Sequence, residues 1–148
     1  MFHMKHVTCE NIMDKEKTEN EKQVIGRVGE ETAARFLVKR GFFVIEKNYR
    51  KKWGEIDIIV KKGKEIRFVE VKTVSRENLE GFSRETLEGY RPEDNIHPWK
   101  LKRLGRAIQT YLAEHGLDES DWRFDVITVY LDLARKEAKV YLLEDVVL

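Results

Sequence analysis

Two alternating runs joined by a short polar turn constrain this chain more than any other feature. In Glu55–Val60, Ile56, Ile58 and Val60 fall on one face, with Glu55, Asp57 and Ile59 on the other. In Ile66–Lys72, Ile66, Phe68, Glu70 and Lys72 share a face opposite Arg67, Val69 and Val71. Lys61-Lys62-Gly63-Lys64 between them reads as a hairpin turn. If the turn is Lys62-Gly63, Asp57 pairs with Phe68 and lies diagonal to Glu70; if it is Gly63-Lys64, Asp57 faces Glu70 directly. Both registers put Asp57, Glu70 and Lys72 on one face of two adjacent strands.

Helical periodicity flanks this hairpin. A helix is expected from about Val24 to Arg40, stopping at Gly41, with Ile25, Gly29, Ala33, Phe36 and Leu37 on one face and Gly26 beside Leu37. Two glycines on a buried face predict close approach to another backbone. Glu30 lies at the edge of that face, placed to look into a crevice. A second helix begins at Pro98, carries the stripe Leu101, Leu104, Ile108, Tyr111 and Leu112, and ends at Gly116, with Lys100 at the border of the stripe. Phe42–Lys47, Arg123–Leu131 and Ala138–Leu143 read as further strands. The order α-β-β-β-α-β-β predicts an α/β single domain, a mixed sheet flanked by helices. Its expected extent is 21–148.

Residues 1–20 lack periodicity and are expected to form a flexible tail; His3, His6 and Cys9 there have ligand-like spacing but no supporting shell. Ser75–Tyr90 is an octapeptide written twice with six of eight positions identical, inside an acidic stretch, 75–95, expected to be a long exposed loop. Phe82 and Tyr90 are either paired stacking residues for bases or incidental to a duplicated insertion. The lone Cys9 needs no oxidising compartment, and the longest apolar runs are four residues. With no secretory signal in the first 25 residues, a cytoplasmic protein without a membrane partner is expected.

The chemistry concentrates on the hairpin. Two carboxylates at cross-strand distance repel, and under a helix they cannot rely on water. A divalent cation with hard oxygen ligands, Mg²⁺ or Mn²⁺, offsets both costs, with Asp57 and Glu70 as ligands and Glu30 reaching it through water. Lys72 would then hold or deprotonate a water, or balance charge at a phosphate. The bland alternative is a solvent-facing Glu70–Lys72 pair with no metal. Charge segregation favours the first reading. The net charge is only +1, yet Lys47–Lys64 carries seven bases against two acids, Pro98–Arg106 four bases and no acid, and Glu77–Asp94 six acids and two bases. A basic rim of Arg50, Lys51, Lys52, Lys100, Lys102 and Arg103 around an acidic centre suits the backbone of DNA. Trp53 either stacks on a base or caps the sheet edge.

Gly26-Arg27-x-Gly29-Glu30-x-x-Ala33-Ala34, Asn48-x-Arg50, Gly54-Glu55-Ile56-Asp57, Phe68-Val69-Glu70-Val71-Lys72-Thr73 and Arg123-Phe124-Asp125-Val126 occur in order. In them the chain resembles the YraN family, which is similar to archaeal Holliday-junction resolvases of the restriction-endonuclease-like superfamily. The resemblance implies a nuclease core with Glu30, Asp57, Glu70 and Lys72 in the catalytic positions and the Val71 carbonyl as a further metal ligand. It implies an endonuclease acting on branched DNA and, by analogy with symmetric resolvases, a homodimer. Two other classes compete: a nucleic-acid-binding module without efficient cleavage, and a protein-interaction domain that uses the acidic loop.

Overall fold

The computed structural model describes residues 2–8, 20–80 and 96–148. Six strands form one mixed sheet: β1 Phe2–Thr8, β2 Phe43–Lys51, β3 Gly54–Lys62, β4 Glu65–Ser75, β5 Trp122–Asp132 and β6 Glu137–Leu143, in the order β1-β6-β5-β4-β3-β2. Only β4 and β5 run parallel, which requires a crossover, and helix α2 (Pro98–Glu114) lies in that connection. Helix α1 (Glu21–Lys39) precedes β2.

Local chemistry sets the helix limits. Asn20 caps α1: its Oδ1 accepts from the Gln23 N–H at 2.8 Å while Gln23 Oε1 accepts from the Asn20 N–H at 3.1 Å, a reciprocal box that starts the helix three residues earlier than its apolar periodicity does. Gly41, in the left-handed region at φ 94, ends it. Pro98 is the first residue of α2, behind the His97 cap.

Each helix covers one face of the sheet. Val28, Ala33, Phe36 and Leu37 of α1 pack with Ile58, Val60, Val69, Ile127, Val129 and Val140. Leu104, Ala107, Ile108 and Tyr111 of α2 pack with Tyr49, Ile56, Ile59, Phe68 and Phe124 on the other face. At one end of the first face, Arg67 is bound by Asp125 (3.0 Å), Glu144 (2.6 Å) and Glu65 (2.7 Å), and Asp125 also accepts the Asp145 N–H at 2.9 Å. Asp125 of the Arg123–Val126 motif is thus a structural carboxylate: removing it would leave the buried Arg67 guanidinium short of a partner.

Four expectations need correction. Residues 2–8 are not tail: β1 pairs antiparallel with β6 from Phe2↔Leu143 to Thr8↔Glu137, a backbone ladder that needs no hydrophobic alternation. Ile56 does not share a face with Ile58 and Val60 but joins Tyr49 and Ile59 against α2; it lies beyond Ile58, where β3 leaves its ladder with β4 and stays with β2 alone. Gly26 is exposed, with open space where a Cβ would sit, whereas a Cβ at Gly29 would overlap the Thr73 hydroxyl of β4, so only Gly29 marks a close approach. The start of the 75–95 stretch is anchored rather than free: Leu79 is fully buried beside Tyr130 and Tyr141, and the Asn78 N–H donates to Asp132 at 2.9 Å. Residues 81–95, with Phe82 and Tyr90, lie outside the described residues, as do Cys9 and residues 10–19.

The two glycines give a paired test by denaturant unfolding. Gly29→Ala should destabilise the chain by about 1–3 kcal/mol through overpacking at Thr73. Gly26→Ala should stabilise it by about 0.5–1 kcal/mol, because an exposed helical glycine gives up more backbone entropy than alanine. Equal effects at both positions would remove the close approach of α1 to β4.

Candidate active site

The site lies where the hairpin opens. The turn is Gly63-Lys64, with Gly63 at φ 62, and the β3–β4 ladder runs from Lys62↔Glu65 to Ile58↔Val69. One more step would set Asp57 against Glu70, and there the ladder stops. The first residues of β3 stay with β2, through Tyr49↔Ile56, Arg50↔Glu55 and Lys51↔Gly54, while Glu70–Ser75 of β4 stay with β5. Asp57 spans the parting: its Oδ2 accepts the Val71 N–H at 2.8 Å, supplying the backbone partner that β3 no longer offers. Asn48, opposite Asp57 on β2, takes the left-handed conformation (φ 53) and hydrogen-bonds Glu30 of α1.

Glu70 and Lys72 alternate with Val69 and Val71 and therefore face α2. Glu70 is buried. Its Oε1 takes the Lys100 ammonium at 2.6 Å, whereas its Oε2 is buried without a hydrogen-bond partner. Lys72 is half-buried, and its side chain makes no hydrogen bond or ion pair among the described residues. Gly54 lets α2 reach this spot: a Cβ there would collide with the Arg103 carbonyl. A cleft of about 300 Å³ at the mouth is lined by Gly54, Glu55, Trp99, Lys100, Arg103 and Leu104. A larger hollow, about 960 Å³, runs along the outer side of α2 between Trp53 and Trp122 and includes none of the site carboxylates.

The electrostatics follow from the crowding. Burial first, then the charge of Glu70, push the Asp57 carboxyl up to about 8; Glu30 adds to the rise, while the Val71 N–H and Lys100 oppose it. Partial burial also raises Glu30, against the Asn48 hydrogen bond and the charge of Arg50. Burial would lower Lys100, but the hydrogen bond and charge of Glu70 outweigh it and hold the ammonium protonated above its ordinary range.

An orphaned, buried carboxylate oxygen beside a second carboxyl that resists ionisation fits a hard divalent cation. Among the described residues no three His, Cys, Asp or Glu side chains converge on one point. Asp57 and Glu70 are the side chains that would hold such a cation, and backbone carbonyl or water would have to supply the rest of its ligands.

The expected rim is rearranged. Lys100 is inside the site, not on its edge. Lys51 pairs with Glu114 at 2.7 Å, Arg50 lies 3.6 Å from Glu55, and Arg103 donates to the Trp53 carbonyl at 3.1 Å, tying the β2–β3 turn to α2. Lys52 and Lys102 are exposed. Trp53 donates its indole N–H to Thr110 at 3.1 Å and so caps the sheet edge against α2. Asn48 and Lys100 are the two site residues whose partners sequence reasoning missed. The only signals were the Asn48-x-Arg50 motif and the position of Lys100 at the border of the apolar stripe.

An α/β domain with an acid–lysine cluster in the fork of a parted hairpin is the class this geometry defines. The chain belongs to the uncharacterised protein family UPF0102, whose profile matches residues 29–129. It is 40% identical over 117 residues to a UPF0102 protein of Alkaliphilus metalliredigens, covering 79% of this chain and 91% of that one. A UPF0102 protein of Moorella thermoacetica is 37% identical over 115 residues (78% and 88%), and one of Caldicellulosiruptor bescii 36% over 127 (85% and 98%). Among solved structures, Pyrococcus furiosus SfsA in complex with Ca²⁺ aligns at TM-score 0.36 and 13% identity, over 83% of this chain and 62% of that one.

The raised Asp57 carboxyl gives a pH test on metal-free protein. The folded state holds the Asp57 proton up to about 8, while the unfolded chain releases it in the ordinary carboxylate range, so stability from this group is full at low pH and is lost as pH rises through that window. Melting temperature should fall toward pH 8 in the parent chain, and Asp57→Asn should flatten that decline. An unchanged slope in Asp57→Asn would show that Asp57 titrates normally.

Proposed function

We propose that this protein is a Mg²⁺- or Mn²⁺-dependent endonuclease of restriction-endonuclease-like type that hydrolyses DNA phosphodiesters, with branched DNA among its candidate substrates. One observation supports the reading: where β3 and β4 part, the charge of Glu70 acts on the buried Asp57 carboxyl, and the buried Glu70 Oε2 has no hydrogen-bond partner. Asp57 and Glu70 would hold the cation, with the Val71 carbonyl and, through water, Glu30. When bound, the cation would polarise the phosphoryl oxygen and lower the pKa of a water.

The remaining work falls to the chain itself. Lys72, on the same strand face as Glu70 and without an ion-pair partner among the described residues, orients the attacking water toward phosphorus, and its ammonium balances the charge that develops on the phosphate. Asn48 fixes the Glu30 carboxyl by hydrogen bond. Lys52, Lys102, Arg103, Lys51 and Arg50 lie on the segments that border the cleft and carry the sequence-independent affinity for phosphates. DNA as partner, a cytoplasmic location and a homodimer complete the reading. No helix of the described residues is long and apolar enough to cross a membrane.

The Glu70–Lys100 pair favours one second reading, a nucleic-acid-binding module that cleaves poorly, since that pair already compensates the buried carboxylate. Cleavage assays on four-way junctions, duplex and single strands with Mg²⁺ or Mn²⁺ separate the two. Asp57→Asn should lose cation binding and cleavage together. Lys72→Ala should keep cation and DNA binding yet lose about 10²–10³-fold in rate. DNA binding by the parent chain with no metal-dependent cleavage of any of these substrates would select the binding module.

A further inference from the structure

The ion pair inside the site is asymmetric. The Glu70 side chain is 3% exposed and fixed on a central strand, whereas Lys100 is 34% exposed and reaches in from the first turn of α2 on a flexible four-carbon stem. Only the lysine has a way out. That way leads into the cleft of about 300 Å³ which Lys100 and Arg103 line together, so a phosphate there would meet both cations. A divalent cation on Glu70 and an ammonium on the same carboxylate repel each other in surroundings with little water to screen them.

We propose that Lys100 is a built-in counter-ion that compensates Glu70 in the free protein and transfers to a substrate phosphate when the cation arrives, so that metal and nucleic acid bind cooperatively. The proposal rests on the nuclease reading of the same site and adds its regulation. Metal loading alone has to displace the lysine into solvent. Phosphate in the cleft gives the displaced ammonium a partner, so each ligand strengthens the other by the same factor, as linkage requires. The consequence is a site that completes itself on substrate and stays self-neutralised without it.

The test titrates the full chain with Mn²⁺, following free Mn²⁺ by electron paramagnetic resonance, with and without a DNA duplex. All chains carry Lys72→Ala so that the DNA survives. With Lys100 present, DNA should tighten Mn²⁺ binding about tenfold or more. Lys100→Met should bind Mn²⁺ about tenfold more tightly without DNA, and DNA should add little further. Lys100→Gln, which can still donate a hydrogen bond to Glu70 but carries no charge, should behave likewise and guards against a folding defect in Lys100→Met; melting curves check both. If Glu70→Gln abolishes Mn²⁺ binding but neither Lys100 variant tightens it, the counter-ion role is overturned and the nuclease reading stands. If no chain binds Mn²⁺, the nuclease reading falls and the counter-ion role falls with it.

Discussion

The hydrogen bond from the Val71 N–H to Asp57 Oδ2 sits at the one place where the sheet changes partners, and the arrangement of the site depends on it. A hairpin that zips from its turn to Ile58↔Val69 and then parts leaves backbone groups of both strands facing an opening, and buried backbone groups do not stay unpaired. By filling that position with a side chain, the fold keeps β4 pinned near β3 without closing the ladder. The fork that results holds Glu70 in a buried position on β4, across from a carboxyl already engaged with backbone. The raised Asp57 is the electrostatic consequence of this geometry, since the group that supports the fork is also buried in it and crowded by the charge of Glu70.

Two glycine contacts, one on each face of the sheet, hold the arms of the fork. On one face, Gly29 lets α1 lie against Thr73 of β4, just beyond Lys72; on the other, Gly54 lets α2 bring the Arg103 carbonyl onto the first residue of β3. The two helices therefore grip different arms, and both approaches are too close for any side chain larger than hydrogen. Glu30 follows Gly29 in sequence, and Lys100 lies one turn before Arg103. The residues that fix the helices thus also deliver the two side chains which α1 and α2 contribute to the site. Packing and site geometry are the same constraint seen at two scales.

What the sequence showed and what it hid divide along this line. Alternation and turn chemistry identified the hairpin and offered two registers, of which Gly63-Lys64 is the one found. Helical periodicity identified both helices and their apolar faces. Periodicity reports which side of an element is buried, not which residue of another element lies beneath it. That is why Gly26 and Gly29 looked equivalent, and why Lys100, at the border of an amphipathic stripe, was read as a rim residue rather than as the partner of Glu70. β1 was invisible for a different reason: an edge strand is secured by its ladder to β6, and backbone hydrogen bonds leave no mark on side-chain pattern. The parting of β3 from β4 beyond Ile58, past which Ile56 lies on the opposite face, is likewise a backbone event.

The basic residues near the fork are of two physical kinds, and the distinction bears on how the protein would hold a polyanion. Lys51–Glu114 and Arg50–Glu55 are surface pairs, with each partner about a third or more exposed. Such pairs contribute little to stability and exchange readily for a phosphate. Their carboxylates, once released, return to water at little cost. Lys100 differs because its partner is buried: a departing ammonium leaves Glu70 with an uncompensated charge unless another cation takes its place. Exposed bases can therefore answer to any phosphate backbone, whereas Lys100 can answer only when the charge on Glu70 is met at the same time. On the proposed reading, binding on the rim and commitment at the centre would be separable steps, set apart by how deeply each carboxylate is buried.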